Sequence, residues 1–242
     1  MHSKWRRDKN KGNIKMAVDR LMFSNSSNLG LVQKAYEELE ELIVTLDIAP
    51  GSILSEQALS KELEIGRTPI REALIKLSHE GLVSIIPRKG VIITDIDVNQ
   101  HFRMLEFRRE VERLVVRLAC ERATPEEREE LLSLANALDE AGESADPNSF
   151  IKLDQQMDKL IYSAARNEFA KKSLQSMSGL TRRFWFRYHK SFVDVQATAK
   201  MHSNIAKAVA NSDAESATKA LDDLLDYIGE MTHESVASGG RY

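Results

Sequence analysis

The chain has 242 residues, of which 42% are hydrophobic and 29% charged, which is enough for two folded domains. No stretch approaches the roughly 20 apolar residues that a membrane helix needs, and no secretion signal is visible. We therefore expect that the chain is neither a membrane protein nor an exported protein. The single cysteine, Cys120, excludes an intrachain disulfide and fits the cytoplasm. We interpret it as a small apolar filler in a helix, with a reactive thiol as the alternative.

Net charge is only −3, but the charges are unevenly distributed. Residues 1–94 carry a net charge of +2 and the remainder −5. A basic excess confined to the N-terminal part is expected if only that part contacts nucleic acid.

Residues 1–30 show no sustained periodicity and end in a polar run, so we predict a mobile arm. Its basic residues could contact phosphate or could form a solvated tail; they are Lys4, Arg6, Arg7, Lys9 and Lys11.

Three short helices are predicted next. Apolar residues at spacings of three and four predict the first over Leu31–Asp47, which ends at the turn Pro50-Gly51. Leu54-Ser55 opens the second, with Ser55 as the expected N-cap. The third has Pro69 in its first turn, where the missing N–H is harmless.

Two strands follow, Leu82–Ile86 and Val91–Thr94, joined by the basic turn Pro87–Gly90. Three helices followed by a two-stranded ribbon, the wing, are typical of a winged helix-turn-helix, which we assign to residues 31–95.

Residues 96–242 contain almost no strand signal. Helical patterns recur near 97–122, 125–142, 147–166, 168–189, 193–210 and 213–236. An antiparallel all-helical bundle is therefore predicted, and the fold class of the chain is mainly α.

The start of the third helix carries the candidate base-reading residues. Arg67, Thr68 and Arg71 lie away from its apolar stripe, where a recognition helix presents side chains to the major groove. Lys89 and Gly90 of the wing are predicted to approach the minor groove or the backbone. Taken alone, the two arginines could equally be ordinary surface charges.

This region closely resembles the GntR-type winged-helix regulators, without a gap from Pro50 to Val91. The segments that carry the resemblance are Leu54-Ser55-Glu56, Arg67-Thr68-Pro69-Ile70-Arg71-Glu72-Ala73-Leu74, Glu80-Gly81-Leu82-Val83 and Pro87-Arg88-Lys89-Gly90. Two positions depart from the pattern. Gly66 stands where the family usually has a capping serine, and Gln57 where the fatty-acid-responsive member has a DNA-contacting arginine.

The helical half is similar to the C-terminal domain of the fatty-acid-responsive branch of that family, the FCD type. The resemblance rests on Arg108-Arg109-Glu110-Val111-Glu112, on Asp154 with Asp158 and Asn167, and on the segment from His202 to Val209. It implies a ligand-sensing and dimerisation domain with a pocket for a small carboxylate and, in many members, a divalent metal.

The resemblance places Asp154 and His202 at metal-ligand positions, with Asp158 where a histidine is usual and Leu224 where the last histidine is expected. A metal site of Asp154, Asp158 and His202 is thus one interpretation. The other is that the aspartates are solvated or paired with Arg108, and that His202 is a hydrogen-bonded core residue.

Arg108 is the leading candidate for the effector carboxylate, with Asp154 and His202 beside it, because a guanidinium can bind a carboxylate through two hydrogen bonds. An ion pair with Glu112 is the alternative. A polar-aromatic cluster could add lining residues; it comprises Arg182, Arg183, Trp185, Tyr188 and His189.

The sequence therefore predicts a homodimeric regulator of transcription that binds palindromic double-stranded DNA and is a repressor released by a small organic acid. No cofactor is required and no enzymatic activity is expected. Two alternatives remain: a hydrolytic metalloprotein using Asp154, Asp158 and His202, and an architectural DNA-binding protein without an effector.

Overall fold

The computed structural model describes residues 29–88 and 90–237, apart from the side chains of 190–192 and 236. The chain divides into two compact units between Asp95 and Ile96. The predicted mobile arm lies outside the described residues except for its last two positions, which are helical. No helix in the described part is both long enough and apolar enough to cross a membrane.

The described residues of the first unit, 29–88 and 90–95, form three helices and three short strands. The helices are α1 (29–44), α2 (Glu56–Glu62) and α3 (Arg67–His79), and the strands are β1 (Ile53–Leu54), β2 (Val83–Ile86) and β3 (Gly90–Ile93). Helix α1 ends earlier than predicted, because Leu46 adopts a left-handed backbone with φ of 68°.

The sheet has the order β1-β3-β2 and is antiparallel, with Ile53 opposite Ile92 and Val83 opposite Ile93. The predicted two-stranded wing is confirmed as the hairpin of β2 and β3, and a third strand, β1, pairs with β3 beside it. Strand β1 directly precedes the Ser55 cap of α2, and its two residues are too few to show the alternating pattern that predicts a strand. Main-chain hydrogen bonds extend the β1–β3 pairing, since Ile93 N–H donates to Ser52 and Gly51 N–H donates to Ile93.

The core of this unit joins the apolar stripes of its helices to the inner face of the sheet. Its fully buried residues include Leu39, Ile43, Ile70, Leu74, Leu77 and Ile93. Ser55 caps α2 as predicted, by accepting from the N–H of Ala58 at 3.1 Å. These contacts fix where α3 begins and which of its faces is left exposed.

Over residues 96–237, the second unit consists of six helices: α4 (Val98–Arg122), α5 (Pro125–Glu143), α6 (Pro147–Ala164), α7 (Glu168–Phe192), α8 (Val195–Ala210) and α9 (Ala214–Ala237). The predicted boundaries lie within three residues of these. Helix α5 begins with a full capping box, in which Thr124 and Glu127 each bond to the other's backbone N–H. Helices α5 and α8 pack closely at Gly142, where a Cβ would lie 3.0 Å from that of Ala199.

Arg128 of α5 binds the ends of two other helices. Its guanidinium donates to the carbonyls of Cys120 and Ala123 at the end of α4 and to those of Val209 and Ala210 at the end of α8. The last carbonyls of a helix have no partner within it, so one side chain satisfies four of them.

Cys120 is buried in the core of the bundle, and burial raises the pKa of its thiol to about 11. This environment supports the interpretation as an apolar filler, because only a thiolate is reactive.

Candidate functional site

The N-terminal turn of α3 exposes Arg67 and Thr68 to solvent. Gly66 is the N-cap and provides no side-chain hydrogen bond, and no acidic residue lies in the first turn. The free N–H groups and positive end of the helix dipole are therefore not neutralised locally, which favours an approaching phosphate.

Arg71, one turn further on, is exposed but is paired with Glu56 of α2. Its Nε and Nη2 donate to the Glu56 carboxylate at 3.0 and 2.8 Å. This hydrogen bonding lowers the pKa of Glu56 and raises that of Arg71. The acidic partner of Arg71 therefore comes from the preceding helix and not from α3 itself.

In the wing, Lys89 lies outside the described residues. Gly90 has φ of +107°, and a Cβ there would lie 2.7 Å from the carbonyl oxygen of Leu54. The fold itself requires glycine at this position, so its contact with DNA stays a separate prediction.

The second unit encloses a cavity of about 1070 Å³, counted with the solvent at its mouth, which we call the bundle cavity. Five helices, α4 and α6–α9, contribute to its wall. Most lining residues are apolar, and the charged ones are Arg108, Glu112, Asp154, Asp158, Arg182 and His202. All three predicted effector residues therefore line one cavity.

Arg108 lies in the wall with Glu112, its neighbour one helical turn away. The Nε of Arg108 donates to Glu112 at 2.7 Å, and the two side chains are only 12% and 7% exposed. Burial opposes the charge of the guanidinium, but Glu112, Tyr162 and Asp158 together outweigh burial, so the pKa of Arg108 lies above its ordinary value. Its buried Nη1 has no hydrogen-bond partner among the described residues.

His202 of α8 bridges α6 and its own helix. Its Nδ1 lies 2.8 Å from the carbonyl oxygen of Thr198, and its Nε2 lies 3.1 Å from Asp154. A carbonyl and a carboxylate both accept, so each ring nitrogen carries a proton. Burial disfavours the imidazolium, but Asp154 outweighs it and the pKa of His202 is raised.

Asp158 accepts a hydrogen bond from the hydroxyl of Tyr162 at 3.0 Å. Burial, followed by the charges of Asp154 and Glu112, raises the pKa of Asp158 well above its ordinary value.

These residues do not fit the metal implied by the resemblance. Within 29–88 and 90–237, no three His, Cys, Asp or Glu side chains are gathered closely enough to hold an ion. Asp158 is engaged with Tyr162, and Leu224 is a buried apolar residue in the cavity wall. A leucine side chain has no atom that can coordinate a metal, so the residue at the position of the last expected ligand cannot take part in a metal site.

Sequence reasoning identified part of the remaining wall. Arg182 and Trp185 of the polar-aromatic cluster line the bundle cavity, whereas Arg183 lines a smaller one beside His101. The buried Nε1 of Trp185 has no hydrogen-bond partner in the described part of the chain. Tyr162 also lines the bundle cavity and was not predicted from the sequence. The only signal for it was its position one helical turn after Asp158.

Comparison with known proteins decides what these two units are. Residues 103–227, more than half of the chain, match the FCD domain family. Residues 31–93 match the gntR family of bacterial regulatory proteins. The chain belongs to the GntR family. It is a transcriptional regulator in which a DNA-binding winged helix-turn-helix precedes a ligand-sensing FCD domain.

Named relatives agree with this assignment. The Nta operon transcriptional regulator of Aminobacter aminovorans is 33% identical over 57% of this chain and 65% of that protein. The transcriptional repressor RspR of Escherichia coli is 26% identical over 84% of this chain and 89% of RspR. Such relatives are regulators, so the hydrolytic alternative is set aside.

The fold is shared with McbR/YncC of Escherichia coli. That structure superposes with a TM-score of 0.74, covering 85% of this chain and 98% of McbR, at 19% identity.

Proposed function

We propose that this GntR regulator is a cytoplasmic homodimer that binds a palindromic operator and represses transcription until a small carboxylate releases it. One observation carries the effector half of the proposal: Arg108 presents a buried, unpartnered Nη1 in a cavity of the sensing domain, judged over the described residues. A buried donor without an acceptor costs roughly 1–3 kcal/mol, which a bound carboxylate oxygen would recover.

Arg67, Thr68 and Arg71 form the proposed reading surface, with Lys89 and Gly90 on the wing. The exposed arginines suit guanine edges, and Thr68 with the uncapped start of α3 suits phosphate oxygens. A two-fold dimer would present this surface twice, and the operator proposed for it is therefore palindromic.

Asp154 and His202 complete the proposed effector site, because they line the same cavity as Arg108. Helix α4 carries Arg108 and begins three residues after the division between the units. We infer that a ligand bound to Arg108 changes how α4 packs in the bundle. This change favours one of two arrangements of the DNA-binding units in the dimer. Repression is proposed in place of activation because the relative RspR is named a transcriptional repressor.

The test starts from full-length protein and an operator selected from random duplex DNA. Sedimentation should give a dimer, and the selected sites should be palindromic. A panel of small carboxylates is then screened for ligands that raise the melting temperature and release the operator.

Arg108→Lys should abolish release by such a ligand, because lysine keeps the charge but loses the fork of donors. Arg109→Lys is the matched control. Arg109 is the next residue of α4, but it pairs with Asp222 and Asp226 instead of lining the cavity. Release is scored against each variant's own ligand-free affinity. Carboxylates that tighten operator binding, or that release it equally from both variants, would contradict the proposal.

A further inference from the structure

Three carboxylates line the bundle cavity together with Arg108: Glu112, Asp154 and Asp158. Two of them face a cationic donor, since Glu112 accepts from Arg108 and Asp154 accepts from His202. Asp158 differs. Among the residues that the structure describes, its hydrogen-bond partner is the neutral hydroxyl of Tyr162.

The wall of the cavity thus includes two charged groups that are incompletely matched. Arg108 has a donor that needs an acceptor, and Asp158 has a carboxylate with no cation hydrogen-bonded to it within the described residues. The two lie in the wall of the same cavity. A ligand that carried only a carboxylate would satisfy the first group and would leave Asp158 without a cation. Burial and the neighbouring carboxylates raise the pKa of Asp158, and an ammonium group beside it would lower that pKa again.

The wall of the bundle cavity does not fit a metal ion, because no three His, Cys, Asp or Glu side chains are close enough to one another among the described residues. An ammonium group needs fewer partners than a metal ion and binds them at longer distances. It has three donors and reaches carboxylate oxygens at about 2.7–2.9 Å, whereas zinc needs several ligands at about 2.0–2.2 Å. Asp154 and Asp158 are four residues apart on α6, so both lie on the same face of the helix.

We propose that the ligand of the bundle cavity is a zwitterion, a small amino acid with an apolar side chain, whose carboxylate binds Arg108 and whose ammonium group binds Asp158 beside Asp154. This inference rests on the carboxylate effector of the proposed function and narrows its class. It also assigns Asp158 a role in selecting the ligand in place of metal ligation.

The remaining wall explains the apolar part of the ligand. Phe150, Ile205, Leu221 and Leu224 line the cavity and are buried. A polar ligand body would lose its hydration against these side chains without replacement hydrogen bonds. An aliphatic or aromatic side chain buries its own surface there instead.

The experiment uses sets of three matched probes on the full chain. One set is L-leucine, 4-methylpentanoate, which lacks the amine, and 3-methylbutylamine, which lacks the carboxylate. A second set is L-phenylalanine, 3-phenylpropionate and phenethylamine. The remaining apolar amino acids are screened in the same way by thermal shift and operator release. At least one amino acid should bind, at least tenfold more tightly than its deaminated and decarboxylated analogues.

Asp158→Asn keeps an acceptor for Tyr162 but removes the charge. It should reduce the preference for the amino acid over its deaminated analogue from at least tenfold to about threefold or less. Asp139→Asn is the matched control, because Asp139 pairs with Lys200 and Lys207 and is not part of the cavity wall. That variant should keep the full preference.

The outcomes separate the two proposals. If simple carboxylates release the operator and no amino acid does so better, the zwitterion is wrong while the carboxylate effector stands. An unchanged preference in Asp158→Asn would remove the assigned role of Asp158. If neither acids nor amino acids bind, the effector proposed for this regulator fails as well.

Discussion

The carboxylate of Glu56 on α2 binds the guanidinium of Arg71 on α3 through Nε and Nη2, so that the proposed base-reading arginine is oriented before DNA arrives. The pair joins the two helices of the helix-turn-helix across 15 positions of the chain. Because it occupies Nε and Nη2, the pair leaves Nη1 for another partner.

We expect Arg71→Ala to lower the ratio of specific to non-specific DNA affinity by about 10- to 100-fold, the value of a good arginine–guanine contact. Fluorescence anisotropy with operator and scrambled duplexes measures this ratio. Arg117→Ala, which removes an exposed arginine from α4, is the control and should leave the ratio unchanged. Equal losses on both duplexes would assign Arg71 to phosphate contact instead.

Glu56→Ala should act differently from loss of the arginine itself. The substitution removes a negative charge beside the DNA-binding surface, so the affinity for non-specific DNA should rise. It also leaves the Arg71 side chain without its orienting partner, so the ratio of specific to non-specific affinity should fall several-fold. Salt titrations on both duplexes separate these effects. A variant with unchanged specificity would show that the ion pair has no positioning role.

Gly90→Ala should destabilise the first unit by about 1–3 kcal/mol, because alanine at φ of +107° is strained and its Cβ would approach the Leu54 carbonyl at 2.7 Å. The comparison is Gly66→Ser, which has room for a side chain and should instead gain a few tenths of a kcal/mol as a helix cap. Calorimetry of the full chain gives both shifts. Equal stability of the two variants would contradict the close approach of β1 and β3.

His101 should make the sensing domain less stable in mild acid. It stacks on Phe184 with ring centroids 3.6 Å apart, and burial, assisted by the charge of Arg108, lowers its pKa to about 3. The unfolded chain binds this proton below pH ~6.5 and the folded chain does not, so this group alone removes about 1.4 kcal/mol per pH unit between roughly pH 6 and pH 4.

Urea unfolding at pH 7 and pH 5 measures that loss. His101→Phe keeps an aromatic ring against Phe184 and should flatten the dependence, whereas His233→Gln, at an exposed histidine, should retain it. A steep dependence that survives in His101→Phe would assign the acid sensitivity to other groups.

Arg128→Ala should cost about 3 kcal/mol of folding free energy, because three helix-end carbonyls, those of Cys120, Ala123 and Ala210, lose their donor. The carbonyl of Val209 keeps its bond from the N–H of Ser212. Arg128→Lys should restore little, since an ammonium group cannot reach both helix ends with the geometry of a guanidinium. The urea midpoint measures the change, with Arg117→Ala as the control. A loss below 1 kcal/mol would mean that water replaces these bonds.

Local sequence signals located most helices in both units. The periodic apolar residues and the Ser55 cap act over three or four residues, so their packing faces and hydrogen bonds are encoded nearby in the chain. Strand β1 escaped detection because its two residues become a strand only by pairing with β3, almost 40 positions later.

The sequence by itself determined the helical architecture, the exposed start of α3 and the set of charged residues available to the sensing domain. Only the tertiary structure decided their partners. It paired Arg71 with Glu56, paired His202 with Asp154 across 48 positions, and placed the hydroxyl of Tyr162 in a hydrogen bond with Asp158. The physical reason is that helix formation is governed by neighbouring residues, whereas the partner of a buried charge depends on how distant helices pack around one cavity.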